Sequence, residues 1–389
     1  MQKESKVPML VEADIESGLG RRYSGAVTIP PMMAIAATGN PEYAYEAGRI
    51  SAIESRAVGI HFNLAPVVDV NNNPKNPIIN TRSFGENADS VYRYSKEFIK
   101  GLHDYGMLAT AKHFPGHGDT ETDSHSALAQ IPSDSARLWS TELPPFRNVI
   151  QSGVDAIMVA HVNAPDYQKN ADDPATLSSF WIQDILKRKL GFNGVIITDA
   201  MGMGGIIKNY SDAYALIATI NAGADIIIQN NEMKQSIDLV ERAVLDGLIT
   251  ENRIDSSVIK ILKMKEKVGL HKDRYISLDE TYSQMGKKQN FETADEIASK
   301  SLTVVRNKNN ILPLDPDLNE EIYVIDLYDG PNNHTESSLT KQLRQSKRKF
   351  KTFQIDKSDS LAIADYIFCL LYTSPSPRDR TRSRMPSSA

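Results

Sequence analysis

The feature that most restricts the fold of this chain is an ionisable residue placed directly after one short apolar run after another. Runs over Val7–Ala13, Ile60–Val67, Met107–Ala111, Asp155–Ala160, Gly194–Thr198 and Ala224–Ile228 read as strands. They are nearly continuous in apolar character, as parallel strands covered on both faces should be. Helical patterns fill the gaps, over Pro41–Ala57, Ser90–Asp104, Ala136–Ser152, Ser178–Leu190 and Asp212–Ala222. Two more, Met233–Asp246 and Glu251–Val268, follow the last strand. Strands alternating with helices define a parallel α/β fold. The first run is followed by Asp14 and the second by Asp69. Lys112 and His113 follow the third, His161 the fourth and Asp199 the fifth. A (β/α)8 barrel gathers its functional groups in this way, from the C-terminal ends of several strands. A doubly wound sheet would instead collect ligands at one switch point beside a glycine-rich turn. The glycines of Met201-Gly202-Met203-Gly204-Gly205 match neither the dinucleotide nor the P-loop spacing. The sequence therefore predicts an α/β chain built on a (β/α)8 TIM-type barrel. Six strands are visible and the first begins at residue 7, so the barrel reads as incomplete at its N-terminus, with the first βα unit missing.

The barrel domain spans 1–269. Residues 270–295, beginning LHKDRYISLDE, are polar and read as a linker. Ser299–Val305 and Glu321–Asp326 then read as strands, and Leu361–Cys369 is again largely apolar. Residues 296–370 thus look like the start of a second α/β domain, too short to close its own core. Residues 371–389, with the stretch SPSPRDRTRSRMPSSA, change character to Ser, Pro and Arg without apolar periodicity. They read as a non-native tail rather than as a disordered basic arm.

Charge and composition exclude some partners. With 44 basic and 49 acidic side chains the net charge is −5. No global basic field points to nucleic acid or to an anionic membrane. No run of 18 apolar residues predicts a membrane span. The N-terminal MQKESKVPM has no apolar core of a signal peptide. The compartment stays open: periplasmic or secreted with an upstream signal, cytoplasmic without one. The single Cys369 cannot form an internal disulfide.

Chemistry concentrates in Lys112–His125, which holds three histidines, three carboxylates and a lysine. Asp123 and His125 can form a dyad, because positions i and i+2 of an extended segment point the same way. A carboxylate on one imidazole nitrogen fixes the tautomer and stabilises the protonated ring. The other nitrogen can then give and take a proton. Asp199 follows a β-branched run and suits either a nucleophile or the N-cap of the next helix. Asp14 and Glu16 with Arg21 and Arg22 follow the first strand, and Arg82 follows the second. These charges suit surface ion pairs or a ligand with many hydroxyls.

With those residues in view the chain resembles family-three glycoside hydrolases, in the β-N-acetylglucosaminidase branch. The likeness rests on ADIESG (Ala13–Gly18), NLAPVVDV (Asn63–Val70), TRSFG (Thr81–Gly85) and KHFPGHGDTETDSH (Lys112–His125). It continues through IMVAHV (Ile157–Val162), PATLS (Pro174–Ser178) and GVIITDAMGM (Gly194–Met203). SLTVVRNKNNILPL (Ser301–Leu314) is similar to the opening of the α/β sandwich that follows the barrel in two-domain members. Ser17 stands where the family commonly has glycine. The resemblance implies a retaining β-N-acetylhexosaminidase. It would remove terminal β-N-acetylglucosamine from peptidoglycan fragments or chito-oligosaccharides. Asp199 would be the nucleophile that forms a covalent glycosyl-enzyme, His125 the acid/base and Asp123 its partner. Asp14, Arg22, Arg82, Lys112 and His113 would hold the terminal sugar's hydroxyls. The DSH triplet separates this branch from the family's β-glucosidases, which take a carboxylate from the second domain.

No cofactor and no metal is expected. A histidine acid/base repels an anionic acceptor less than a carboxylate would, so transfer to phosphate is an alternative within the family. From other classes, His113, His117 and His125 with Asp119 and Asp123 could be read as zinc or manganese ligands. No H-x-H or H-E-x-x-H spacing supports that reading. A non-catalytic sugar-binding fragment is the remaining rival.

Overall fold

Parallel pairing organises the computed structural model, which describes residues 2–132, 134–168, 170, 172–228, 233–307, 322–328, 338–345 and 349–356. The chain divides into two compact units, residues 1–303 and 304–389. Strands of the first unit are β1 (Glu12–Ala13), β2 (Phe62–Asn63), β3 (Leu108–Phe114), β4 (Ala129–Gln130), β5 (Ala156–Val159), β6 (Val162–Asn163) and β7 (Val195–Thr198). The main sheet has the order β1-β2-β3-β5-β7, all parallel. A bridge from Ile197 to Ile226 adds the last apolar run beyond β7. Strands β4 and β6 pair only with each other, above the sheet's C-terminal end.

Alternation along the strands separates two cores. Phe62, Leu64, Leu108, Ala156, Met158, Val195 and Ile197 fill the inside of the curl, together with Met264, Val268 and Leu270. Ile157, Val159 and Ile196 face the other way, toward the covering helices. A parallel sheet curled round its own apolar interior and jacketed by helices is a (β/α)8-type architecture; the described strands form a curled half-barrel. Helices Glu42–Ala57 and Ala88–Asp104 pack so closely that glycine is required at their crossing. A Cβ on Gly48 would lie 2.2 Å from Phe98 O, and one on Gly101 would lie 2.2 Å from Tyr45 O.

Several expectations need correction. Val7–Val11 is not strand, although β1 follows it. Gln2 bonds Met9 there, accepting from Met9 N and donating to Met9 O, and Val11 O accepts from His61 N and Phe62 N. The polar segment 270–295 is largely helical, with helices Leu278–Gln284 and Lys288–Ser301. Asn290, Ala294 and Ile297, spaced i, i+4 and i+7, bury one face of the latter on the barrel unit. That same helix takes up Ser299–Ser301. Leu302–Val305 is exposed coil rather than the expected strand. A six-residue helix, Met32–Ala37, has no counterpart in the sequence reading. In the second unit β8 (Ile322–Tyr328) pairs parallel with β9 (Phe350–Asp356), with helix Ser338–Gln345 between them in sequence. Leu361–Cys369 and the tail 371–389 lie outside the described residues. Among the described residues no helix is long and apolar enough to cross a membrane.

Candidate active site

The strand ends converge on one cavity of about 940 Å³. Seven of the eight residues singled out in the sequence line it: Asp14, Arg22, Arg82, Lys112, His113, His125 and Asp199. Asp123, the eighth, sits behind His125.

One side of the cavity is a charge network. Lys112 is buried, and its Nζ lies 2.8 Å from Asp14 Oδ1 and 2.7 Å from Glu16 Oε1. Arg82 grips Glu16 in a two-pronged bond, Nε to Oε2 at 2.9 Å and Nη2 to Oε1 at 2.8 Å. Burial alone would raise the Glu16 carboxyl. Lys112 and Arg82 outweigh it and hold the carboxyl far below the usual carboxylate range. Lys112 faces the same burial penalty, and Glu16 and Asp14 raise it in return, so the cation persists. Asp14 and Arg22 are half exposed, and Arg22 Nε donates to Asp14 O at 2.9 Å. Ser17, at the position where glycine is usual, has no positive φ; Gly18 takes that role at φ 75°. A Cβ on Gly18 would meet Val27 O at 2.4 Å.

His113 is set from beneath by Asp69. Its Nδ1 lies 2.7 Å from Asp69 Oδ2, and Arg82 Nη2 approaches its Nε2 at 3.3 Å. Guanidinium can only donate, so Nε2 accepts and Nδ1–H points to Asp69. Asp69 also accepts from the backbone N–H groups of His113 and His117. Although buried, its carboxyl is held below the ordinary value by His113 and His117. The Lys112–His113 peptide bond is cis.

Asp199 emerges from β7 with its N–H on Val159 O and its Oδ1 accepting from Ala200 N at 2.8 Å. Burial pushes its carboxyl up. His113, His161, the Ala200 N–H and Lys112 more than offset this and keep it ionised. His161 ties the end of β5 to the turn after Asp199, through Thr176 Oγ1 at 2.8 Å and Ala200 O at 2.9 Å.

The loop after β3 carries the remaining groups. His117 is buried and spans the loop, Nδ1 to Thr120 Oγ1 at 2.6 Å and Nε2 to Ser124 Oγ at 2.9 Å. Burial lowers its pKa to about 4. The tip docks on the turn after Asp199, because Gly204 N donates to His125 O and Gly205 N to Ser124 O. A side chain at Gly204 would collide with Ser126 O at 2.5 Å. Asp123 Oδ1 lies 2.7 Å from His125 Nδ1 and accepts from His125 N at 2.9 Å. The Asp123 carboxyl sits below its usual range, because bonds from His125 outweigh partial burial. The His125 ring is 61% exposed, which leaves Nε2 available to a ligand.

The sequence pointed to Glu16 only as one of a group of charges and to His117 only as a possible metal ligand, and it used Asp69 and His161 only as strand-end markers. Both ring nitrogens of His117 are engaged by hydroxyls, whereas His113 is held only through Nδ1 by Asp69 and through its contact with Arg82. Lys112→Met is expected to cost about 3 kcal/mol, because it takes the buried cation from Glu16, while half-exposed Asp14 keeps Arg22 at 3.6 Å. The value sits at the low end of such losses because Arg82 stays on Glu16. Denaturant unfolding with unchanged slope checks it; a shift near zero would mean the network is not stabilising.

A curled parallel sheet that brings an ionised carboxylate, an Asp–His pair and a fan of cations to one cavity defines a barrel protein with a charged site at its strand ends. The description "Glycosyl hydrolase family 3 N terminal domain" matches residues 1–264, and the chain belongs to this family. A "Beta-N-acetylglucosaminidase/beta-glucosidase" of Cellulomonas fimi is 31% identical over 339 residues, 85% of this chain. The chain spans 60% of that relative's length. A "Beta-hexosaminidase" of Haemophilus influenzae is 32% identical over 80% of this chain and 86% of its own. Among solved structures, a family 3 beta-N-acetylglucosaminidase from Paenibacillus sp. strain FPU-7 superposes with a TM-score of 0.83 at 35% identity. That match covers 92% of this chain and 70% of the other. A beta-glucoside phosphorylase superposes with a TM-score of 0.85 at 27% identity, covering 90% of this chain and 66% of its own.

Proposed function

We propose that this chain carries the catalytic domain of a retaining β-N-acetylhexosaminidase. It would release terminal non-reducing β-N-acetylglucosamine from peptidoglycan fragments or chito-oligosaccharides. The observation that carries the reading is the His125–Asp123 pair on the cavity that also holds an ionised Asp199. In the first step an Asp199 oxygen attacks the anomeric carbon. The bond to the leaving oxygen breaks as His125 Nε2 delivers its proton there, and Asp123 stabilises the ring through the change. In the second step His125 takes a proton from water as that water's oxygen bonds to the anomeric carbon. The bond to Asp199 then breaks and the carboxylate is restored. Lys112, Arg82, His113, Asp14 and Arg22 hold the hydroxyls of the sugar.

A second reading, transfer to phosphate, is favoured by one feature. The acid/base is an imidazole rather than a carboxylate, in a cavity already edged by Arg22, Arg82 and Lys112. Assay of paired nitrophenyl β-N-acetylglucosaminide and β-glucoside should show kcat/KM favouring the acetamido sugar by on the order of 10²-fold. Preference for the glucoside would overturn the branch assignment. Repeating the assay with inorganic phosphate and looking for a glycosyl phosphate separates phosphorolysis from hydrolysis.

A further inference from the structure

The loop that carries Asp123 and His125 is backed by asparagines that follow the second apolar run. Asn73 Nδ2 donates to Asp119 O at 3.1 Å, and Asn76 Nδ2 to His117 O at 2.8 Å and Thr120 O at 3.0 Å. Asn72 turns instead to Glu142, at the end of the helical turn Leu138–Glu142, where its Nδ2 donates to Glu142 Oε1 at 3.2 Å. Glu142 is 1% exposed. Its side chain fills the space beside Gly116, where an added Cβ would lie 2.9 Å from Glu142 Cβ and 3.1 Å from its Oε2. Glu142 thus packs between the asparagine segment and the first turn of the acid–base loop.

Two oxygens of the Asn72–Glu142 contact, Asn72 Oδ1 and Glu142 Oε2, are buried without a hydrogen-bond partner among the described residues. With the carboxyl ionised both can only accept, and two buried acceptors without a donor are costly. One proton on Oε2 satisfies both. The acid O–H then donates to the amide oxygen while the amide N–H donates to Oε1, a closed acid–amide pair. The surrounding charges also favour the neutral acid. Asp119 faces Glu142 from the loop and Asp69 from the end of the second apolar run. Arg137, the cation on the same stretch of helix as Glu142, is bonded to Asp119 Oδ2 at 2.8 Å and offsets them only in part. Burial, with Asp119 and Asp69 adding to it and the Asn72 bond opposing, raises the Glu142 carboxyl to about 7.

We infer that Glu142 is a positioning residue for the acid–base loop: it shares one proton with the Asn72 amide, and this uncharged pair seats the turn at Gly116. Loss of the proton sets a further negative charge beside Asp69 and Asp119 and unseats the turn. The effect on catalysis rests on the reading of His125 as the acid/base; the pair itself does not.

Thermal unfolding of the whole chain from about pH 5 to about pH 8.5 tests the shared proton. A carboxyl raised by folding contributes stability that is complete below its unfolded value of about 4.3 and is lost as pH rises through about 7. The melting temperature of the parent chain should therefore fall by several degrees relative to Glu142→Gln across that window. Glu12 is also raised to about 7, but it contributes equally to both chains. Parallel curves overturn the inference. Amide hydrogen exchange tests the seating: Glu142→Ala and Asn72→Asp should each speed exchange over residues 116–125 roughly 10-fold. The double variant Asn72→Asp/Glu142→Gln exchanges acid and amide across the contact and should restore protection. A double variant as loose as Asn72→Asp alone overturns the inference. On chitobiose, Glu142→Ala should lower kcat roughly 10-fold with KM within about twofold. Glu142→Gln should recover kcat and carry the alkaline limb of the profile to higher pH. A Gln variant no faster than Ala, or one with an unmoved profile, overturns the positioning role. If the parent chain turns over no glycoside, the proposed function fails, and melting and exchange still decide the pair and its hold on the loop.

Discussion

Asp199→Ala is expected to abolish turnover of an aryl β-N-acetylglucosaminide, with a loss on the order of 10³-fold or more. The carboxylate is the group that bonds to the anomeric carbon in the proposed reaction, and the other carboxylates of the cavity are held differently: burial and Asp14 raise Glu12 to about 7. Asp14 and Glu16 are both tied to Lys112, and Glu16 is also held by Arg82. Among the described residues, Asp199 by contrast bonds through its side chain only the Ala200 N–H. The substitution therefore removes charge without emptying a packed core, and the melting temperature should hold. A fluorinated mechanism-based inactivator should add its mass to the peptide containing Asp199. Label on Asp14 or Glu16 would overturn the assignment. The carboxyl is held below its ordinary value, so its ionised form persists as pH falls. Any loss of kcat/KM above about pH 5 must then come from another group, since even an unperturbed aspartate titrates near 3.9.

How far the molecule could be read in advance depended on whether a feature is local. Helix Asp212–Ala222 was legible to the residue. Ser211 caps its start by accepting from Tyr214 N, and Gly223 ends it at φ 121°. The strand-end ionisable residues were legible because each apolar run stops at them. Pairing was not. Asp69 stood out as a strand-end acid, but its bonds to the N–H groups of His113 and His117 exist only once the β3 loop has folded back. Glu16 could not be ranked above its neighbours, because its importance comes from Lys112 and Arg82, 96 and 66 residues away in sequence. The polar stretch at 270–295 misled for a related reason. Helix Leu278–Gln284 buries no residue and helix Lys288–Ser301 only a narrow face, so composition suggested a linker where periodicity holds a packed helix. The strand length of β1 was overestimated because apolar content cannot show that Met9 bonds the Gln2 side chain instead of a neighbouring strand, while the pairing with β2 begins only at Val11 O.

His125→Ala should slow substrates with poor leaving groups by about 10²–10⁴-fold, the range of general acid–base catalysis. Activated aryl glycosides, whose leaving groups depart without a proton, should lose far less in the first step. The geometry makes this contrast clean. The imidazole is exposed, so its removal opens no cavity. The loop is docked by the main chain, with His125 O accepting from Gly204 N, and an alanine keeps that bond. The loop can therefore hold its place while the ring is gone. Asp123→Asn gives the second arm, because it keeps the shape but withdraws the charge that stabilises the protonated ring. It should reproduce part of the same leaving-group dependence and shift the pH profile. Equal losses on activated and unactivated substrates would mean that the ring only shapes the loop. The proton would then have to come from another group lining the cavity.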